Sequence, residues 1–326
     1  MCRGNNTIIK IGGYINQIIC GDCLDIMPNM PDKSIDMILC DLPYGTTTCS
    51  WDTIIPFDKL WEQYMRISKY NSIIILTASQ PFTSKLVMSN IEMFKYEWIW
   101  EKDNGSNPLL ANINPMKVHE NILIFQNDNS YILKSFGVYI KEIRLSLGLS
   151  LKDMGNLCNE KWYHRGGCMY FETGLSCPTY QQYENIKKVL KLDNRFDNFM
   201  SKAKFTPQMT IGKKYITKAG KSILPHLKAT EGYITKNEGL RFPRSVLKIN
   251  SEKGLHPTQK PVALFEYLIK TYTNEGDLVL DNCAGSGTTG VACKNLGRNY
   301  ILIEKEEKYV EIARRRVNAT PEPLFV

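Results

Sequence analysis

Long apolar runs are missing from this 326-residue chain. No window approaches the roughly 20 apolar residues needed to cross a bilayer. The opening Met1-Cys2-Arg3-Gly4-Asn5-Asn6 has no apolar stretch of the secretory kind. Membrane and secreted readings are thereby excluded, and a cytoplasmic protein is expected. Histidine is scarce, four in all, and the lone CxxC at Cys20 and Cys23 has no second pair. No metal site is therefore expected. The ten cysteines are scattered, and Cys20, Cys40 and Cys283 lie in apolar runs. Without an export signal they read as reduced thiols of the core. Repeats and low-complexity tracts are absent too. What remains is globular composition, 43% hydrophobic and 23% charged, at a length for one large domain or two ordinary ones.

Positive charge is in excess, and it is concentrated. The chain carries 41 Lys+Arg against 33 Asp+Glu, a net charge of +8. Tyr131 to Leu255 hold 22 Lys+Arg and 10 Asp+Glu, a net +12, so the other 201 residues sum to −4. A basic middle between mildly acidic flanks suggests a polyanion-binding insert in a separate scaffold.

The flanks alternate strand and helix. Short apolar runs at Gln17 to Cys20, Ile35 to Cys40 and Ser72 to Thr77 predict buried strands. Phe57 to Lys69 has helical spacing, Pro81 starts a second helix, and Glu92 to Trp100 and Glu120 to Phe125 are two further strands. The tail continues with a helix at Val262 to Tyr272, a strand at Leu278 to Leu280, a helix at Thr288 to Leu296, a strand at Tyr300 to Ile303 and a helix at Lys308 to Val317. Head and tail together predict seven strands in a mostly parallel α/β sheet covered on both faces. The insert reads as largely helical, with short helices at Tyr139 to Leu147, Leu151 to Cys158 and Thr179 to Leu190. Residues 193–255 read as irregular, with a strand near Ser245 to Ile249.

Two segments carry chemistry. Asp281-Asn282-Cys283-Ala284-Gly285-Ser286-Gly287-Thr288-Thr289-Gly290 follows a strand and opens a helix, matching GxGxxG at Gly285, Gly287 and Gly290. Glu304 stands 19 residues after Gly285, at the end of the next strand. Taken alone this is a dinucleotide fingerprint, but any adenosine-bearing cofactor with a vicinal diol could use the same turn and carboxylate. Only 22 residues follow Glu304, so the next strand must come from the N-terminus, where Ile18-Ile19-Cys20-Gly21-Asp22 offers one ending in a carboxylate. The sheet is then circularly permuted. The second segment, Asp41-Leu42-Pro43-Tyr44, sits at the carboxyl end of a strand, where open α/β sheets bind ligands.

Asp41-Leu42-Pro43-Tyr44 resembles the (D/N/S)-P-P-Y motif of DNA amino-methyltransferases that use S-adenosylmethionine. His256-Pro257-Thr258-Gln259-Lys260-Pro261 resembles the family's HPTQKP segment, and the glycine loop its D-x-F-x-G-S-G-T-T signature. The motif order resembles the permuted beta class, especially phage-type N6-adenine enzymes, over about residues 17–126 and 240–318. The resemblance implies a seven-stranded, Rossmann-like methyltransferase sheet in two halves, 1–130 catalytic and 246–326 cofactor-binding, around a target-recognition insert at 131–245. Leu42 departs from the motif's first proline, and Asn282-Cys283 stand where Pro-Phe is common. The second departure removes an aromatic wall beside the cofactor.

By the same resemblance, Asp41 and the Leu42 carbonyl would accept the two N–H bonds of an exocyclic base amine, turning its lone pair toward the sulfonium methyl. Pro43 would stiffen the loop and Tyr44 would stack on a flipped base. Asp281 would meet the methionine ammonium, Cys283, Gly285, Ser286, Gly287 and Thr288 would surround the methionine part, Glu304 would hold the ribose, and Asp22 the adenine. Thr258 and Lys260 would enclose the methionine end. Asp22 and Thr258 could each instead cap a helix. Asp41 in the motif favours adenine N6 over cytosine N4 by association. A non-catalytic DNA-binding regulator, an RNA or protein methyltransferase and a nicotinamide enzyme are the competing readings.

Residues 138–192 resemble the helix-turn-helix modules in the recognition regions of some phage adenine methyltransferases. Lys161, Trp162, His164 and Arg165 are candidates for groove contact, and Lys213, Lys214, Lys218 and Lys221 for phosphate contact. Double-stranded DNA is the expected partner. A homodimer and a cognate restriction endonuclease are compatible with the resemblance.

Overall fold

The computed structural model describes residues 11–47, 49, 52–106, 111–127, 130–157, 172, 180–193, 196, 208–211, 215–218, 234–237, 240–252 and 259–321. Chain order in the first part is β1 (Gln17–Cys20), α1 (Cys23–Ile26), β2 (Ile35–Asp41), α2 (Phe57–Ile67), β3 (Ser68–Ala78), α3 (Phe82–Ser89), β4 (Phe94–Ser106) and β5 (Lys117–Gln126). The insert contributes α4 (Ser130–Ser146), α5 (Leu151–Leu157) and α6 (Tyr180–Leu190). It also contributes β6 (Thr210–Ile211), β7 (Tyr215–Lys218), β8 (Ile234–Asn237) and β9 (Leu240–Arg241). The last part is β10 (Val246–Lys248), α7 (Val262–Tyr272), β11 (Leu278–Asp281), α8 (Thr288–Asn295), β12 (Asn299–Glu304) and α9 (Glu307–Ala319).

One sheet organises both ends of the chain, in the order β1-β12-β11-β2-β3-β5-β4-β10. Every neighbouring pair is parallel except β3–β5 and β4–β5, so β5 alone runs against the rest. The expected permutation is present: Gln17 pairs with Ile301 and Cys20 with Glu304, putting the first strand beside the last. The sheet has eight strands rather than seven. The strand expected near Ser245 to Ile249 is present as β10 and supplies the eighth strand, Val246 pairing with Ile99 on the outer edge of β4.

Period-two alternation fills two cores. From β2, Ile38 and Cys40 enter the layer with α2 and α3, while Met37 and Leu39 enter the layer with α7 and α8. The helices obey their own period: Leu60, Trp61, Tyr64 and Ile67 are the buried stripe of α2. That helix stops at Ile67, where Ser68 already begins β3, so the predicted helix to Lys69 is two residues too long and the third strand starts before Ser72.

Cys23, Cys40 and Cys293 are buried, as expected of core thiols, but Cys20 and Cys49 are exposed. Cys20 ends an edge strand, which has a neighbour on one side only, so lying in an apolar run does not bury it.

In the insert the first helix begins at Ser130, nine residues before the predicted start at Tyr139. Its partner α5 is opened by a reciprocal cap: Ser150 Oγ accepts from Asp153 N (3.1 Å) and Asp153 Oδ2 from Ser150 N (2.8 Å). Phe136, Ile140, Met154, Tyr183 and Ile186 form a separate small core. A buried Arg144–Glu172 pair (2.6 Å) ties α4 to the segment before α6. Residues 193–255 are not uniformly irregular, since β6 pairs with β9 and β7 with β8. Among the described residues no helix is long and apolar enough to cross a membrane.

Candidate active site

Chain connections leave β11 and β2 in opposite directions across the sheet, which opens a crevice at their carboxyl ends. A cavity of about 340 Å³ occupies it. Asp22, Asp41, Leu42, Pro43, Tyr44, Lys260, Asp281, Cys283, Gly285, Ser286, Thr288 and Glu304 all line this one space. Gly287 does not line it. Its φ is +80°, and a Cβ there would stand 2.9 Å from Ala313 Cβ, so this glycine serves the close packing of α8 on α9 rather than ligand approach. Thr258, Lys161, Trp162, His164, Arg165, Lys213, Lys214 and Lys221 lie outside the described residues. Lys218 ends β7, and its side chain is likewise outside what is described.

The Asp41 carboxylate is nearly surrounded. Tyr44 Oη donates to Oδ1 at 2.8 Å, and the Thr77 hydroxyl donates to the same oxygen. Lys260 Nζ donates to Oδ2 at 2.5 Å. Lys260 also stands 3.4 Å from Glu120 Oε2, and Glu120 Oε1 accepts from Lys102 Nζ at 2.5 Å. Burial works to lower the Lys260 ammonium, but Asp41 and Glu120 outweigh it and hold Lys260 above its ordinary range. Burial likewise works to raise Glu120, and Lys260 and Lys102 hold it below. The Tyr44 phenol is pushed well up by burial and by the Asp41 and Glu120 charges, so it remains a donor. One face of the Tyr44 ring rests on Phe82, centroids 5.2 Å apart.

Behind the tetrapeptide the chain is clamped. Asp52 accepts from the backbone N–H groups of Gly45 (2.8 Å), Thr46 (2.8 Å) and Thr47 (2.6 Å). Burial raises the Asp52 carboxyl, but these amides outweigh it and hold it low. Gly45 has φ +66°, and a Cβ would meet Ile54 Cγ1 at 2.9 Å, so the turn demands glycine.

The cofactor end differs in kind. Asp281, 3% exposed, accepts from Cys283 N (3.1 Å) and from the Thr289 hydroxyl. Burial outweighs these bonds and pushes its carboxyl up to about 7. Glu304 accepts from Gly285 N (2.7 Å) and Glu306 N (2.8 Å), and burial raises it too. Asp22 caps α1, Oδ1 accepting from Leu24 N at 2.9 Å, and it also lines the cavity, paired with Lys305 at 3.1 Å. Arg316 holds the glycine loop from outside the cavity, donating to Ser286 Oγ (3.2 Å) and Thr288 Oγ1 (3.0 Å).

The departure at Asn282-Cys283 is absorbed locally. Asn282 Oδ1 accepts from Tyr64 Oη at 2.5 Å, and the Cys283 side chain packs against the core cluster that holds Cys23 and Cys40. Cys23 and Cys283 thus line the cavity where the family pattern places an aromatic ring. Contact with Cys23 and burial push the Cys283 thiol above its ordinary range, and burial takes Cys40 up to about 12.

Lys260, expected to enclose the methionine end, lines the cavity with its carbonyl accepting from Thr288 Oγ1 (3.3 Å) and its ammonium bonded to Asp41. Glu120, Lys102, Thr77, Asp52 and Arg316 were not anticipated. The signal for Glu120 was faint: a lone acidic residue opening an apolar strand.

A family model described as DNA methylase matches residues 35–315. The type II methyltransferase M.HpaI of Haemophilus parainfluenzae is 24% identical over 313 residues, 93% of this chain and 74% of that protein. M2.DpnII of Streptococcus pneumoniae is 51% identical over 75 residues, which span 23% of this chain and only 28% of its own length. The structure of TTHA0409 from Thermus thermophilus, complexed with S-adenosyl-L-methionine, covers 95% of this chain and 98% of its own at TM-score 0.50 and 17% identity. That likeness is one of fold. With the family match spanning most of the sequence, the chain belongs to the DNA methylase family.

Proposed function

We propose that this DNA methylase transfers a methyl group from S-adenosylmethionine to the N6 amine of an adenine flipped out of double-stranded DNA. The observation that carries the reading is the single cavity shared by the Asp41–Tyr44 loop and the Gly285–Ser286 turn. An acceptor for the amine and a cradle for the cofactor lie in one chamber, as an in-line transfer needs.

The cavity suits the cofactor. Asp281 is a buried carboxylate hydrogen-bonded by an amide and a hydroxyl, an environment that a cationic ammonium would improve. Glu304 is fixed by two backbone amides and keeps acceptor capacity for ribose hydroxyls. S-adenosylmethionine supplies an electrophilic sulfonium methyl when bound.

The chain's own residues orient the amine. A carboxylate offers about four acceptor positions, and Tyr44, Thr77 and Lys260 fill three of those on Asp41. One remains for a single N–H of the base. The other N–H goes to the Leu42 carbonyl, so the nitrogen lone pair is turned out of conjugation and toward the methyl. Lys260 and the two hydroxyls fix the carboxylate in advance, the form of preorganisation that lowers a barrier. The Tyr44 ring, which rests on Phe82 and has Lys260 Nζ 5.7 Å from its centroid, would carry the extruded base, and the basic insert with its lysines would hold the duplex phosphates, which makes binding steeply salt-dependent.

Long-read detection of modified bases in DNA from cells expressing the protein tests this reading. N6-methyladenine at one recurring sequence is the expected result. N4-methylcytosine would reassign the base, and unmodified DNA, together with no tritium transfer from labelled cofactor in vitro, would remove the function.

A further inference from the structure

Two carboxylates face one buried ammonium. Lys260, 6% exposed, has a formed hydrogen bond to Asp41 Oδ2 at 2.5 Å and an unformed one to Glu120 Oε2 at 3.4 Å. Glu120 Oε2 is buried and accepts no hydrogen bond, while Oε1 is occupied by Lys102. A buried acceptor left unfilled is costly and calls for an explanation. Here it lies within a short swing of a cation already committed elsewhere.

The reaction supplies the reason for such a vacancy. As the N–C bond forms, the C–S bond breaks and its electron pair goes to sulfur. The amine nitrogen is left cationic, with one proton too many. That N–H bond then breaks, its electrons stay on nitrogen, and the proton moves to the Asp41 oxygen that held it. Asp41 is neutral at that moment, and Lys260 would be a buried cation without a counter-charge. We propose that Glu120 is the second counter-ion of the reaction, taking the Lys260 hydrogen bond at Oε2 while Asp41 carries the proton. Lys260 swings back when Asp41, whose side chain is 22% exposed, gives the proton to solvent. Glu120 and Lys260 are positioning residues, acting through Asp41. The inference rests on Asp41 being the acceptor for the amine.

Topology makes the arrangement possible. Asp41 on β2 and Glu120 on β5 sit at one edge of the sheet, and Lys260 enters from the segment leading into α7. The charged and titratable groups around the trio are Tyr44 on the Asp41 loop, Lys102 on β4, Lys117 on β5 and Asp281 on β11. Of these, Tyr44 and Lys117 themselves feel the Glu120 charge.

Single-turnover methyl transfer, measured against pH at saturating cofactor and DNA, tests the proposal. Lys260→Met removes a positive charge beside Asp41, and its acid limb moves to higher pH. Glu120→Gln removes a negative charge and leaves Lys260 to Asp41 alone. Its acid limb moves to lower pH, and its plateau falls about 10-fold or more, while cofactor affinity stays within about twofold. Displacements of opposite sign support the shared cation. Unmoved limbs, limbs moving in the same direction, or an unchanged Glu120→Gln plateau overturn it, because a Glu120 acting only as a fixed charge would displace the limb through its field without lowering the plateau. Should Glu120→Gln fail to fold, Lys102→Gln frees Oε1, draws Lys260 away from Asp41 and moves the limb upward; an unmoved limb there overturns the proposal. Failure of the functional reading is distinct, since the unmodified protein would then transfer no methyl at all.

Discussion

Asp41 and Asp281 end adjacent parallel strands and share a cavity, yet they live in opposite surroundings. Leu280 pairs with Ile38, so Asp281 is level with Leu39, two residues deeper in the sheet than Asp41. At the strand rise that is roughly 6–7 Å. The deeper carboxylate is wrapped by Cys283 N and Thr289 and is pushed up to about 7 by burial. The shallower one reaches past the strand ends, where Lys260 and two hydroxyls meet it. The same side chain thus becomes a preorganised acceptor at one depth and an unneutralised buried acid at another. Depth, and which loop arrives opposite, separates the two roles.

Substitutions at the two positions should part company. Asp41→Ala should cost about 10³-fold or more in methyl transfer, since both the acceptor and its preorganisation vanish. Cofactor affinity, measured by calorimetry, should stay within about twofold. Comparable loss of cofactor binding would merge the two roles and break the comparison. Asp281→Asn should do the reverse, weakening cofactor binding about 10- to 100-fold while leaving most of the rate at saturating cofactor.

The smallest effect sharpens the contrast through pH. Asp281 has its folded value raised far above the unfolded carboxylate value of about 3.9. Between those values the folded state holds the extra proton, so stability declines as pH rises from about 4 to about 7 and levels off beyond. Without cofactor, denaturant titrations of the unmodified protein should therefore fall relative to Asp281→Asn by about 1 kcal/mol per pH unit over pH 5–7. Parallel stability curves would mean that Asp281 ionises freely in the folded protein.

The motif-bearing strand ends were readable because each rests on local chemistry. An apolar run followed by Asp41-Leu42-Pro43-Tyr44, or by the glycine turn, identifies its own place at the end of a strand. The permutation is a matter of motif order, with Asp41-Leu42-Pro43-Tyr44 ahead of the glycine turn, and the pairing of Gln17 with Ile301 and Cys20 with Glu304 carries it out. Glu120 was not readable in that way. Its strand is apolar whichever way it runs, and only the reversal of β5 brings the beginning of that strand, rather than its end, to the edge where Asp41 sits. A parallel β5 would have put Glu120 on the far side of the sheet. Gly287 misled for a related reason: a glycine needed for helix packing and one needed for ligand approach look alike in a pattern, and Ala313 alone distinguishes them.

By itself the sequence determined the alternation of strands and helices, the permuted order, the basic insert and the two ligand-facing turns, because periodicity, turn chemistry and charge are local properties. Tertiary structure decided which carboxylate received the lysine, which stayed buried without a cation, that β10 closes the sheet edge, and that a thiol cluster backs the cavity. Those outcomes depend on strand direction, register and depth, which arise between segments far apart in the chain and leave no mark on any one of them.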